Sequence, residues 1–201
     1  ASGKKTKTLK MAATPVQFGA SNYENLSLGF STDSGWIAFR DDSSMKIWET
    51  ATGRELRTFN SPRISGAGSD PTFQMFANKF LFSPDRRLLS VVTENSKIAL
   101  LDASSAAVLH TLPRHEGAVI GLSFSADSKL VASSGLDNRI RVWDTASGRE
   151  IQTLSGAALP VSDLTFSPDG KSLSIAGHQA VNKWELISGG VQRGVVLPDD
   201  Y

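Results

Sequence analysis

The sequence has no cysteine among its 201 residues, which excludes disulfide frameworks, cysteine-based zinc sites and thiol nucleophiles within them. A reducing, cytoplasmic setting is the corresponding expectation. An excess of one charge is missing too, because 21 Lys and Arg face 20 Asp and Glu for a formal charge of +1. Without a clustered cationic surface there is no broad electrostatic footprint for nucleic acid or an anionic membrane, and neither is expected as a partner. Apolar runs are broken by charges, Gly or Pro well short of the ~18 residues of a membrane-crossing helix, and the N-terminus carries no signal-peptide core. A soluble chain, or a piece of one, is expected. Its 40% hydrophobic and 20% charged residues are enough to bury a core.

What the sequence has is a repeat. The strings GFSTDSG (29–35), LFSPDRR (81–87), SFSADSK (123–129) and TFSPDGK (165–171) align Phe30, Phe82, Phe124 and Phe166. The interval is about 42 residues in the second half of the chain and about ten more in the first. A second marker follows each: KIWE (46–49), ALLD (99–102), RVWD (141–144) and NKWE (182–185), aligning Trp48, Leu101, Trp143 and Trp184. A third closes each unit, as in ATGRELRTF (51–59), SAAVLHTL (105–112), ASGREIQTL (146–154) and, weakly, SGGVQRGV (188–195). ASGKKTKTL at 1–9 matches this third marker, so the chain is expected to open in mid-repeat.

Each period reads as four short strands. Val119, Leu122 and Phe124 end one strand at a Ser-x-Asp turn, whose side chains bond the local backbone. LVASSG (130–135) and RIRVWD (139–144) form a hairpin over Leu136, Asp137 and Asn138, and REIQTL (149–154) completes the unit. No stretch holds helical periodicity over a dozen residues.

These markers resemble the tryptophan-aspartate (WD) repeat family, over essentially the whole chain. The resemblance implies an all-β fold, a β-propeller segment of four WD-repeat blades built from four-stranded antiparallel sheets, within a seven- or eight-bladed ring. On that reading residues 1–201 divide into blades near 4–49, 54–101, 107–143 and 149–185, with a leftover outer strand at 190–196. Four blades leave three explanations open: a piece of a longer propeller, two copies closing an eight-bladed ring, or a closed ring of four. The remaining blades would come from the same longer chain or a second copy. The third repeat matches best, and there the resemblance puts His115, Ser133, Asp137 and Trp143 in the family's structural hydrogen-bonding tetrad. The other repeats keep Trp48 and Trp184 without a His, Ser and Asp set, and Leu101 replaces Trp.

The candidate chemistry is sparse. His115 could act as a general base, but a donor and acceptor bridging Ser and Asp fits a buried network better. His110, on an outer strand, and His178, near a loop, read as ordinary surface residues. No metal-ligand spacing, Gly-x-Ser-x-Gly elbow or phosphate loop occurs, so no catalytic residue, metal or cofactor is assigned. Asp41 and Asp42 read as a turn, Asp199 and Asp200 as a solvated tail, and Lys4, Lys5, Lys7 and Lys10 as a protected strand edge. More informative are roughly ten extra residues in each of two connections, Leu9 to Phe30 and Phe59 to Phe82, compared with the later repeats. They bring Phe18, Tyr23, Arg63, Phe73, Met75 and Phe76, of the types that anchor protein interfaces.

The expected function is therefore a non-catalytic protein-interaction or regulatory scaffold, contacting a protein partner or another domain of the same protein. The regular Ser- and Gly-rich repeats also look like bacterial WD-repeat proteins. That likeness implies a regulatory propeller fused to a signalling or defence enzyme, a caspase-like protease or protein kinase, outside these residues. A propeller enzyme with its own channel site is the remaining alternative.

Overall fold

The computed structural model describes residues 27–40, 44–60, 79–93, 96–113, 115–155, 161, 163–177, 181–186 and 195–196. All regular structure among them is extended apart from an isolated helical turn residue at Ser96. The first sheet holds β1 (Ser27–Phe30), β2 (Trp36–Arg40), β3 (Ser44–Glu49) and β4 (Glu55–Asn60). The second holds β5 (Phe80–Phe82), β6 (Leu88–Val92), β7 (Ile98–Asp102) and β8 (Val108–Leu112). β9 (Val119–Phe124), β10 (Leu130–Gly135), β11 (Arg139–Asp144) and β12 (Glu150–Ser155) make the third. The fourth comprises β13 (Asp163–Phe166), β14 (Ser172–Ala176), β15 (Val181–Glu185) and β16 (Val195–Val196). Each sheet is an antiparallel meander in chain order.

The turn between the first two strands is the same device four times. The hydroxyls of Ser31, Ser83, Ser125 and Ser167 donate to Asp33, Asp85, Asp127 and Asp169 at 2.6–2.7 Å. Each hydroxyl also accepts the backbone N–H that opens the next strand, from Trp36, Leu88, Leu130 and Ser172, at 2.9–3.0 Å. The side chains thus satisfy backbone groups that a tight turn would leave unpaired.

The sheets do not coincide with the units 4–49, 54–101, 107–143 and 149–185; they are displaced by one strand. The cause is the turn after the third strand. The carbonyls of Glu49, Asp102 and Asp144 accept N–H bonds from Gly53, Ala106 and Gly148 at 2.7, 2.8 and 2.9 Å, and those three residues take φ of 65°, 60° and 67°. Such a turn folds the next strand straight back onto the third, so β4, β8 and β12 join the sheet they follow. Likewise Val195–Val196, within the segment expected to be left over, pairs with β15 as the fourth strand of its sheet. The outer strand expected near residues 4–9 lies outside the described residues.

The core lies between sheets, not within one. Ala38, Met45 and Ile47 of the first pack on Phe80, Phe82, Leu89, Val91 and Leu101 of the second. Val92, Ile98, Leu100 and Leu112 of the second meet Val119, Phe124, Val131 and Trp143 of the third. Ala132, Ile140, Val142 and Leu154 of the third meet Leu164, Phe166, Leu173, Ile175 and Trp184 of the fourth. Both faces of the middle sheets are therefore apolar, and β7 and β10 read as continuous hydrophobic or small-residue runs rather than alternating ones.

Candidate functional site

The tetrad assembles in the third sheet. His115 precedes β9, Ser133 lies on β10, Asp137 in the β10–β11 turn and Trp143 on β11. His115 Nδ1 lies 2.9 Å from Asp137 Oδ1, and His115 Nε2 lies 2.8 Å from Ser133 Oγ. Trp143 Nε1 donates to Ser133 Oγ at 3.2 Å. Asp137 also accepts backbone N–H bonds from Glu116 at 3.1 Å and Arg139 at 3.2 Å.

One neutral tautomer satisfies every atom. Nδ1–H donates to the carboxylate, Ser133 O–H donates to Nε2, and the indole N–H donates to the serine oxygen. Burial pushes the His115 pKa below its ordinary value, against the opposing pull of Asp137. Burial pushes Asp137 the other way, but its bonds from His115 and from the Glu116 and Arg139 amides outweigh that and hold the carboxylate ionised. The glycine at 135 is obligatory, since a Cβ there would sit 2.5 Å from His115 Nδ1 and 2.8 Å from Asp137 Oδ1.

As chemistry, this is a closed circuit. The His115 side chain is 0% exposed and that of Asp137 2%, so neither can reach a substrate proton. The register explains why only one sheet has the circuit. Phe39, Val91 and Ile175 occupy the place of Ser133 in the other sheets. As a result Trp184 Nε1 is buried with no hydrogen-bond partner. Replacing Trp184 by Phe should therefore cost roughly 1 kcal/mol or less, for lost packing only. Trp143→Phe should cost about 1–3 kcal/mol, since it also strips a donor from a buried network. Urea unfolding of the two variants measures the difference.

His110 lies at the surface on β8 and also bridges two sheets: Nε2 donates to the Ala146 carbonyl of the next sheet's turn at 2.9 Å, and its ring leaves no room for a Cβ at Gly148. Arg57, at the matching position of the first sheet, donates from Nε to the Ser104 carbonyl at 2.5 Å. The first and second sheets, and the second and third, are thus pinned at their outer strands as well as packed in the middle. Two cations that sequence reasoning missed bridge sheets elsewhere. Arg40 is completely buried and donates from Nη1 to the Val92 carbonyl at 3.0 Å, and Lys79 Nζ donates to the Ile120 carbonyl. The only sequence signal for Arg40 was a charge at the end of an apolar strand.

The turn acids set the acid limit of the fold. Ser104 and Ser105 donate through hydroxyls and backbone amides to Asp102, lowering its pKa to about 2. Hydrogen bonds from Ser31 and the Gly35 amide lower Asp33, and Asp127, Asp144 and Asp169 are lowered in the same way. A group with a depressed folded pKa stabilises the fold above its unfolded pKa and loses that contribution as pH falls. Two acid steps are therefore expected. One, from His115, begins as pH drops below its ordinary 6.5; the other, from the aspartates, begins below their ordinary 3.8 and for Asp102 extends to about 2. Urea midpoints against pH check this, and His115→Gln should remove the first step alone.

Of the interface candidates, Phe18, Tyr23, Arg63, Phe73, Met75 and Phe76 lie outside the described residues, as do His178, the N-terminal lysines, and Asp41, Asp42, Asp199 and Asp200. Among the described residues no group of three metal-capable side chains converges, and no helix is long and apolar enough to cross a membrane.

Four meander sheets packed face to face, with one repeated turn and one buried His–Ser–Asp–Trp circuit, define a repeat protein of the β-propeller class. The profile of the WD domain, G-beta repeat, matches residues 106–144 and 148–190, so the chain carries WD repeats over those residues. Each matched segment begins at or just before the outer strand of one sheet and ends in or after the third strand of the next, the same one-strand displacement seen above. No curated protein matches the chain. WD repeats generally mediate protein–protein interaction as scaffolds, and propellers built from them are typically non-catalytic.

Proposed function

We propose that this chain is a non-catalytic protein-interaction scaffold whose sheets hold connecting segments in a fixed geometry for a protein partner or a further domain. The observation that carries the reading is the sealed tetrad. The chain's one hydrogen-bonded His–Asp pair among the described residues is used to lock β9, β10 and β11 together, leaving no buried acid or base beside an open site. Rigid sheets reduce the ordering entropy lost on binding, which suits presentation better than turnover. The connection at 61–78, which carries Arg63, Phe73, Met75 and Phe76, is the segment assigned to the partner. Shortening 61–77 to the length of the later connections should leave the thermal midpoint within a few degrees and lower the yield of partner cross-linked to the full chain. Lost folding with undiminished cross-linking would overturn the assignment.

A further inference from the structure

The outer strand of the second sheet differs from its two neighbours. β4, β8 and β12 each lie at a sheet edge, with one hydrogen-bonded strand beside them among the described residues. The second sheet packs on the first across one face and on the third across the other, so β4 and β12 lie to either side of β8. An edge of this kind offers a row of unpaired N–H and C=O groups to any extended chain, and charged side chains are the usual way of keeping one off.

β4 and β12 carry that protection. Arg54 and Glu55 stand at the start of the first, Arg149 and Glu150 at the start of the second, all exposed. Glu55 is held by Lys46 at 3.3 Å and by the Thr58 hydroxyl at 2.6 Å; Glu150 is held the same way by Arg141 at 2.7 Å and by the Thr153 hydroxyl. In matching register β8 has Ala107 and Val108 where the others have Arg and Glu, and Ala99 stands where they have Lys46 and Arg141. Both halves of the ion pair are replaced together, and β8 is left without a carboxylate, Lys or Arg.

The bulge adds to this. In each of the three sheets it inserts one extra aliphatic residue in the outer strand, Leu56, Leu109 or Ile151. In β4 and β12 that residue follows a glutamate. In β8 it follows Val108, so that two aliphatic side chains stand together, 56% and 46% exposed. Ala107 and Thr111 are exposed as well, while His110 is engaged with the Ala146 carbonyl. The unengaged charge around β8 is of one sign. The carboxylates of the flanking strands are held as above, and Asp102, before β8, accepts the Ser104 and Ser105 hydroxyls. The exposed side chains of Arg54 and Arg149 have no partner among the described residues.

We infer that β8 is a strand-addition site for an extended peptide segment of a partner protein, aliphatic at alternate positions and acidic at its ends. Backbone pairing to the open edge supplies affinity, Val108 and Leu109 meet the aliphatic side chains, and Arg54 and Arg149 meet the carboxylates. The inference goes beyond the role given to 61–78, because it names a different surface and the class of peptide that fits it.

The probe is the peptide Glu-Val-Thr-Val-Thr-Val-Glu, capped at both ends and titrated against the full chain. Saturable binding by fluorescence anisotropy is expected below about 1 mM, with the amides of β8 exchanging more slowly and those of β12 unchanged. Val108→Lys, at an exposed position, should weaken binding about fivefold or more while leaving the thermal midpoint within a few degrees. Ile151→Lys should leave binding as it was. N-methylation of the peptide at its Val and Thr residues should abolish binding, and exchanging its Glu for Lys should weaken it several-fold. No saturation by about 1 mM, or binding that Val108→Lys or N-methylation leaves intact, overturns the inference. So does self-association of the unaltered chain that Val108→Lys abolishes, since a second copy would then be the occupant. Shortening 61–77 should not change peptide binding, so the two assignments fail separately; loss of binding on that shortening would place the peptide elsewhere and overturn this one.

Discussion

His115→Ala is expected to destabilise the chain by about 2–4 kcal/mol without altering the outline of the fold. The substitution removes the donor to Asp137 and the acceptor for Ser133, and leaves a cavity where an imidazole had been fully enclosed. Asp137 keeps two backbone donors and Ser133 keeps the Trp143 indole, which is why the cost stays below that of an unpaired buried charge. Urea unfolding followed by tryptophan fluorescence measures it. A change under roughly 0.5 kcal/mol would mean that the circuit does not hold the third sheet together. His115→Gln should recover part of the loss, because an amide can still span carboxylate and hydroxyl. A Ser133→Ala, His115→Ala double variant should cost clearly less than the sum of the singles.

The second large effect concerns how the sheets hold one another. Ile140 is fully buried between the third and fourth sheets, so Ile140→Ala should cost about 2–4 kcal/mol from lost burial and the residual cavity. In a stack where each sheet contacts only its neighbours, that loss falls first on the sheet with one neighbour. Among the described residues the fourth sheet packs its apolar side chains on the third alone, with Ser174, Lys183 and Glu185 on its other face. Amide hydrogen exchange should therefore show β13 and β14 losing protection while β6 and β7, packed on both sides, keep theirs. Uniform loss of protection across all four sheets would show instead that the stack unfolds as a single unit.

These two variants mark the boundary between what was legible in the residues and what was not. The tetrad was legible only through the resemblance to the WD repeat, whereas the strands around Phe30, Phe82, Phe124 and Phe166 and the Ser–Asp turns could be read directly, because each rests on turn chemistry or alternation within a few residues. Arg57, His110, Arg40 and Lys79 could not. Each acts through a carbonyl roughly 35–50 positions away, and a carbonyl leaves no mark in a sequence because every residue has one.

The assignment of strands to sheets divides the same way. Repetition in the sequence established the number and kind of strands, but a repeat has no intrinsic starting point, so its period could be cut at any of four places. The tertiary structure made the cut, because a tight turn with positive φ at Gly53, Ala106 and Gly148 folds each outer strand back on the strand before it. It also gave meaning to residues that the sequence by itself showed only as substitutions. Ser172, Ser174 and Lys183 stand at the positions of Leu130, Ala132 and Val142, yet only the packing of sheet on sheet shows that the latter three face Phe166 and the fourth sheet. Local turn chemistry and alternation are encoded within a few residues of chain; the covering of a face depends on residues brought to it by the whole fold.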